Sequence, residues 1–225
     1  MNTEKSQTKK RIIIFTILAM AFAWTVFMLI PLTGMAYGKS ITSQLIVGVA
    51  MFAPALASIL TRLITQEGFG KMYLRPNFKG HRKAYLAIYI GPTLLILASC
   101  ALYFLLFPGV YDPALTMIKQ MVESSPAGIT PAAVVLIMLG LIIAIGPVVN
   151  ILPTLGEELG WRGYLLPKLR TLYSDRVALI ISGVIWGLWH LPIIVMGHNY
   201  GTDYAGYPWL GIVAMVIFCV SLGIV

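Results

Sequence analysis

Six long apolar runs constrain this chain more than any other feature of its sequence. A helix needs roughly 20 apolar residues to cross the hydrocarbon core of a bilayer, and each run meets or nearly meets that length. The runs cover 12–30, 44–64, 85–107, 131–153, 177–196 and 208–225. Because 59% of the 225 residues are hydrophobic and 11% are charged, too little polar surface remains to enclose a water-soluble core. We expect an all-α, polytopic transmembrane helix bundle of about six spans, forming a single domain over 1–225.

The basic residues indicate how these spans are oriented. The chain has 16 Lys and Arg against 8 Asp and Glu, and basic residues concentrate in the cytoplasmic loops of membrane proteins. All of the basic residues except Lys39 and Lys119 lie before the first run or in and beside the loops that follow the second and fourth runs. We therefore predict a multi-pass cell-membrane protein with a cytoplasmic N-terminus. The lipid bilayer, rather than nucleic acid, explains the basic charge.

Two adjacent carboxylates follow the fourth run, where charged groups are costly and indicate function by default. On a helix, Glu158 and Arg162 are one turn apart and predict an ion pair. Glu157 points about 100° away and shares a face with Trp161. Glu157 is thus either a free proton carrier in a low-dielectric site or, with Thr154, half of a capping box at a helix start. The spacing alone leaves both interpretations open.

A histidine interrupts the fifth apolar run. A buried His190 needs a hydrogen bond or a functional role, and Trp186 lies one turn before it on the same face. Gly183 and Gly187 form a small-xxx-small pair that lets another helix approach closely. Pro192 removes a backbone hydrogen bond, so the helix is expected to kink or end just past His190.

Glu157 and His190 together could hold and activate a water molecule, which a single histidine in a span does not by itself indicate. The other two histidines, His81 and His198, lie in loops and are predicted to be solvated. The sequence contains no HExxH pattern and no Cys or Asp near these residues, so it shows no complete zinc site. Any metal ion would be held by Glu157 and His190.

Two sequence segments resemble a known family. The stretch EELGWRGYLLP at 157–167 and the stretch WGLWHLP at 186–192 are similar to the EExxxR and FxxxH motifs of the CAAX prenyl protease and bacteriocin-processing family (CPBP, or Abi) of intramembrane proteases. Trp186 stands where that family usually has Phe. The resemblance covers mainly 131–225 and implies a fold of about eight helices. It also implies a later HxxxN-type motif beyond Val225, so we expect the C-terminus to be truncated.

The resemblance implies an intramembrane endopeptidase. Glu157 and His190 correspond to the residues that position or activate the hydrolytic water, and supporting roles fall on Glu158, Arg162, Trp161 and Trp186. Its substrates would be peptides or membrane proteins, prenylated in the case of CAAX processing, and some family members serve in bacteriocin self-immunity. The resemblance does not decide whether a divalent metal such as zinc takes part in the reaction. We favour a water molecule activated by the glutamate. The oligomeric state is left open.

Two other functions fit the same residues. Glu157 and His190 could relay protons in a proton-coupled transporter subunit, or the ion pair and glycines could serve only packing in a non-catalytic membrane scaffold. The protease interpretation carries a geometric condition, because His190 lies roughly 21 Å beyond Arg176 at 1.5 Å per residue. Glu157 can reach that depth only if the fourth span begins later than Pro131 and runs past Glu157, or if the segment 154–169 re-enters the bilayer as a separate helix.

Overall fold

The computed structural model of the chain describes residues 2–70, 72, 77–123 and 129–223. Lys71, Arg75 and the last two residues of the sixth apolar run lie outside them. Within the described residues all regular structure is helical, including a short 3₁₀ helix at Pro108–Val110 and a π-helical turn at Trp161–Leu165. The α-helices are α1 (Asn2–Leu32), α2 (Ile41–Ala50), α3 (Ala53–Ile64), α4 (Arg82–Leu106), α5 (Thr116–Glu123), α6 (Pro131–Ala144), α7 (Gly146–Gly160), α8 (Leu166–Arg170), α9 (Asp175–Trp189), α10 (Leu191–Val195) and α11 (Trp209–Leu222).

Each of the six apolar runs is helical, but the helices differ in length. Three helical segments are long and apolar enough to cross a membrane: Thr3–Leu32, Ile41–Ile64 and Arg82–Leu106. A fourth span is obtained if α6 and the helix Gly146–Arg170 are taken together as a bent pair. The helices of the last two runs, α9 and α11, have 15 and 14 residues. The structure therefore confirms a polytopic helical bundle, with three or four helices of spanning length among the residues described.

Local sequence signals explain several helix boundaries. The side chain of Ser40 accepts a hydrogen bond from the Ser43 backbone N–H at 3.1 Å and caps α2. Thr130 caps α6 in the same way through the Ala133 N–H at 3.3 Å, and a proline occupies the first helical turn, where its missing N–H costs nothing. These caps satisfy N–H groups that a helix start otherwise leaves without partners.

The chain divides into two compact units. One unit comprises 75–151 and contains α4, α5 and α6. None of the described residues of α4 and α6 is buried within it. The Tyr89 hydroxyl donates hydrogen bonds to the carbonyl oxygens of Ile143 at 3.3 Å and Ala144 at 3.2 Å, which joins α4 to the end of α6.

The other unit comprises 1–74 and 152–225 and contains the larger buried core. Its first helix presents one buried face with a residue at every fourth position, formed by Phe15, Ala19, Ala23 and Phe27. The Phe15 ring lies 5.6 Å from the Trp161 ring, and the Phe27 ring lies 5.2 Å from the Trp189 ring, measured between centroids. Helix α1 therefore covers the aromatic side chains of both segments that carry the family-like motifs.

Helices α9 and α11 touch through glycines. A Cβ atom built on Gly183 would lie 2.4 Å from Val220 Cγ2, and one built on Gly187 would lie 2.6 Å from Val216 Cα. Contacts this short are not tolerated, so only glycine permits the observed separation of the two helices. The small-xxx-small interpretation of Gly183 and Gly187 is thereby confirmed.

A single carboxylate joins three helices at one end of this unit. Glu67, in the loop after α3, accepts hydrogen bonds from Lys168 Nζ and from the Tyr164 hydroxyl, the latter at 2.9 Å. The Nε atom of Arg11 on α1 lies 3.5 Å from Glu67 Oε2. Burial of Glu67 raises its pKa, but the hydrogen bonds from Lys168 and Tyr164 and the positive charges of Lys168 and Arg11 together outweigh that effect, so the pKa of Glu67 is lowered from 4.5. The charged form of Glu67 therefore stabilises the fold.

We predict that Gly183→Ala destabilises the protein, because its new Cβ would overlap Val220. Overpacking of this kind costs about 1–3 kcal/mol, and the melting temperature of the purified protein in detergent, followed by tryptophan fluorescence, should fall. Gly91→Ala is the matched control, since its Cβ would meet no atom within 4 Å. Equal melting temperatures for the two variants would contradict the close packing of α9 on α11.

We predict that Glu67→Gln lowers the free energy of unfolding at pH 7 by about 1.5–3 kcal/mol, the range for hydrogen bonds to charged groups. A lowered pKa stabilises the fold above the unfolded-state value, so this contribution is present above about pH 4.5 and is lost as the pH falls through the folded-state pKa. The difference in melting temperature between wild type and variant should therefore shrink in acid. A difference that is the same at pH 7 and pH 4 would show that Glu67 acts through packing alone.

Candidate functional site

The helix that carries Glu157 continues well beyond it. Helix α7 runs from Gly146 to Gly160, passes through the π-helical turn and ends as α8. A break at Ile145 separates α7 from α6, so the helix that runs past Glu157 begins at Gly146. Thr154 lies inside α7 rather than at its start, so the capping-box interpretation of Thr154 and Glu157 is wrong. Single π-helical turns within α-helices are rare and are frequently found at functional sites.

Glu157 is buried, with 7% of its surface exposed. Its Oε2 atom accepts a hydrogen bond from Trp186 Nε1 at 3.0 Å. The indole N–H of Trp161 is buried and has no hydrogen-bond partner among the described residues. None of the ion pairs among the described residues includes Glu157. The carboxylate is therefore held by indole rather than by a cation, which leaves it available for proton transfer.

Two glycines beside Glu157 bring α7 against the junction of α2 and α3. A Cβ atom on Gly156 would lie 2.8 Å from the Met51 carbonyl oxygen, and one on Gly160 would lie 2.3 Å from Pro54 Cβ. The pair has the same small-xxx-small spacing as the glycines of α9, but we did not identify it from the sequence. It fixes the depth and rotation of the helix turn that presents Glu157.

The adjacent carboxylate has a different role. Glu158 forms the predicted ion pair with Arg162, one turn along the helix. Arg162 Nη2 donates a hydrogen bond to the Leu222 carbonyl oxygen at 2.6 Å, and its guanidinium carbon lies 5.2 Å from the Trp186 ring centroid. Both charged side chains are about one-third exposed, so the pair contributes little to stability. Its effect is to connect the π-helical turn with the end of α11 and with Trp186.

His190 occupies the break between α9 and α10, so the predicted interruption at this residue is confirmed. Its Nδ1 atom lies 3.0 Å from the Trp186 carbonyl oxygen. A carbonyl oxygen can only accept, so Nδ1 carries the proton, and in the neutral ring Nε2 keeps its lone pair. Trp186 therefore contacts both candidate catalytic residues, Glu157 through its indole and His190 through its backbone.

His198 is not solvated as predicted. It is partly buried, and its ring stacks on His190 with centroids 6.1 Å apart and an interplanar angle of 11°. Its Nδ1 forms a hydrogen bond with the hydroxyl of Tyr37, which follows α1. Burial lowers the pKa of His198 and raises the pKa of Tyr37, so the tyrosine donates to a neutral imidazole. The solvated position predicted for His81 is confirmed.

The donor set does not complete a metal site. No group of three or more His, Cys, Asp and Glu side chains within the described ranges is placed to hold a metal ion. A catalytic zinc is held by three protein ligands, and Glu157 and His190 provide two.

Comparisons with known proteins bear on the segment that contains this site. Residues 137–225 match the family described as type II CAAX prenyl endopeptidase, Rce1-like. The match covers 89 of the chain's 225 residues. The CAAX prenyl protease 2 of Methanococcus maripaludis is 48% identical over 44 residues, which make up 20% of this chain and 16% of that protein. No solved structure matches the chain.

The Rce1-like segment contains Glu157, Arg162, Trp186 and His190, so the family resemblance seen in the two motifs is confirmed. It also contains His198, but the tyrosine that binds His198 lies outside it. Together with the apolar helices of spanning length, this match supports a multi-pass membrane protein.

We predict that Tyr37→Phe raises the pKa of His198. The lost hydroxyl stabilises the neutral imidazole by donating to its Nδ1, so protonation becomes easier without it. The measurement is an NMR titration of isotope-labelled histidine in detergent micelles, with the His198 signal assigned by its absence in His198→Gln. A pKa for His198 that is unchanged or lower in Tyr37→Phe would contradict the hydrogen bond.

Proposed function

We propose that this chain is an intramembrane endopeptidase of the CAAX protease type, with Glu157 and His190 as catalytic residues. The observation that carries the proposal is the double role of Trp186, whose indole binds Glu157 while its carbonyl fixes the tautomer of His190. Activation of a water molecule requires a general base and a second group that binds the water. Glu157 would be the base and His190 the hydrogen-bond acceptor, and Trp186 contacts both. The match of the segment to the Rce1-like family supports the same reaction class.

In the proposed reaction a water molecule attacks the carbonyl carbon of a peptide bond. Glu157 takes one proton of the water, while the Nε2 lone pair of His190 accepts a hydrogen bond from the other. The new carbon–oxygen bond gives a tetrahedral oxyanion. When this intermediate collapses, the carbon–nitrogen bond breaks and the leaving nitrogen receives the proton from Glu157. Low polarity around the buried carboxylate strengthens each of these electrostatic interactions.

Glu158, Arg162 and Trp161 would support the site without touching the reacting atoms. Arg162 lies over the Trp186 ring and binds the end of α11, so it holds the indole that positions Glu157. Trp161 fills the space between the rings of Trp186 and Trp189, at centroid distances of 6.2 and 6.1 Å. These contacts limit the rotation of the catalytic carboxylate, which keeps it oriented for proton transfer.

For the substrate we propose a peptide or membrane protein that carries a prenylated C-terminal motif. The relative from Methanococcus maripaludis is named for prenyl protease activity, which motivates this choice. The charge distribution supports a cytoplasmic N-terminus, as derived from the positive-inside rule. A role in bacteriocin immunity stays a prediction.

The test is cleavage of a fluorogenic farnesylated peptide by the full chain reconstituted in lipid. We expect Glu157→Gln to reduce kcat about 10²–10⁴-fold, the range for loss of a general base, and His190→Gln to cause a loss of similar size. Glu4→Gln is the matched control, because it makes the same substitution at an exposed position. Melting temperatures of all variants should be recorded to exclude unfolding.

Three outcomes decide the proposal. Loss of cleavage in Glu157→Gln but not in Glu4→Gln, with wild-type activity indifferent to a metal chelator, supports a glutamate-activated water. Loss of wild-type activity with chelator would assign the water to a metal ion instead. Absence of cleavage by the wild type, or full activity of Glu157→Gln, would contradict the peptidase and favour the transporter or scaffold.

A further inference from the structure

A basic cavity lies where α1 begins and α3 ends, and neither candidate catalytic residue lines it. Its volume is about 180 Å³, and its lining consists of Gln7, Lys10, Arg11, Ile64, Thr65 and Gln66. Only one of these residues, Ile64, has an apolar side chain. The cavity can therefore hold a polar group with several hydrogen-bonding atoms.

The charges around this cavity do not balance. Glu67 is the carboxylate shared by three cations, Arg11, Arg62 and Lys168. All four side chains are at least three-quarters buried, with exposed fractions of 21% for Arg11, 6% for Arg62, 15% for Lys168 and 17% for Glu67. The ion pairs among the described residues give these cations no second carboxylate. The cluster thus carries two positive charges in excess, which repel each other in a medium of low dielectric.

Several donors of this cluster are not used by the protein. Arg11 engages only its Nε atom, 3.1 Å from Thr65 Oγ1, so its two terminal nitrogens have no hydrogen-bond partner among the described residues. The Nε atom of Arg62 is buried and likewise unpartnered there. Lys10 is exposed and lines the cavity next to Arg11. A guanidinium with both terminal nitrogens free matches the oxygen spacing of a phosphate group.

The position of the cavity along α1 indicates where such a phosphate would come from. The first apolar run begins at Ile12, one residue after Arg11. A span that begins at Ile12 would place the cavity at its end, at the depth of lipid headgroups. Basic pockets between transmembrane helices bind anionic headgroups at this depth. We propose that this cavity binds a phosphate group through Arg11 and Lys10. In the membrane, the phosphate group is that of an anionic phospholipid.

The test measures lipid binding to the delipidated full chain in detergent. The probes are short-chain phosphatidylglycerol, short-chain phosphatidylcholine and inorganic phosphate, and the readout is the dissociation constant from calorimetry. We expect phosphatidylglycerol to bind more tightly than phosphatidylcholine, and Arg11→Gln and Lys10→Gln each to weaken its binding about tenfold, the loss of one charge-assisted contact. Lys10→Gln removes no ion pair found among the described residues, so it tests the cavity without disturbing the contact of Arg11 with Glu67.

Lys9→Gln is the matched control, because Lys9 is exposed on the same turn of α1 but does not line the cavity. The dissociation constant of phosphatidylglycerol for Lys9→Gln should differ from that for the wild type by less than about twofold, as expected for a solvated charge. An equal loss in all three variants would reduce the site to general attraction by a basic helix and overturn the proposal. So would equal affinity for the two lipids, or no binding of phosphatidylglycerol.

Inorganic phosphate separates the two sources of the ligand. Displacement of phosphatidylglycerol by millimolar phosphate would show that the cavity recognises the phosphate group alone, so that free phosphate is also a ligand. Failure to displace the lipid, with the Lys10 and Arg11 effects intact, would assign the site to the headgroup together with its glycerol backbone.

Discussion

The hydrogen bond from Trp186 to Glu157 is the interaction on which the candidate site depends. A carboxylate in an apolar bundle needs a partner, and a cation would pair with it and occupy the oxygen that chemistry requires. An indole N–H satisfies one oxygen without supplying charge. The backbone carbonyl oxygen of Trp186 also accepts a hydrogen bond from His190 Nδ1. The tautomer of His190 and the position of Glu157 therefore both depend on Trp186. Arg162, which is paired with Glu158, packs on the ring of Trp186.

Close backbone contacts hold the helices that present these groups. Glycines at 156 and 160 press α7 on the α2–α3 junction, and those at 183 and 187 press α9 on α11. Helices in a membrane gain little from hydrophobic burial, so contact area and hydrogen bonds decide their association. Each glycine pair flanks or precedes a motif residue by a few positions. The spacing of small residues thus sets the geometry of the site as directly as the motif residues do.

Local signals were predictable from sequence, and distant contacts were not. The apolar runs predicted the helical bundle, and the i, i+4 spacing predicted the Glu158–Arg162 pair. Pro192 predicted the interruption of the helix at His190. The capping box failed because α7 begins eight residues before Thr154 and continues through Pro153. The solvated His198 failed because its partner, Tyr37, is 161 positions away in the sequence. No local pattern encodes such a contact. The spacing of Gly156 and Gly160 was visible, but only the structure shows which helix it meets.

Helix α1 and the residues that follow it pack on side chains of the Rce1-like segment. Phe15 packs on Trp161, Phe27 packs on Trp189, and Tyr37 holds His198, yet all three lie upstream of residue 137. Upstream residues therefore complete part of the packing of the Rce1-like segment. A fragment cut at 137 would expose aromatic surface that the intact chain buries.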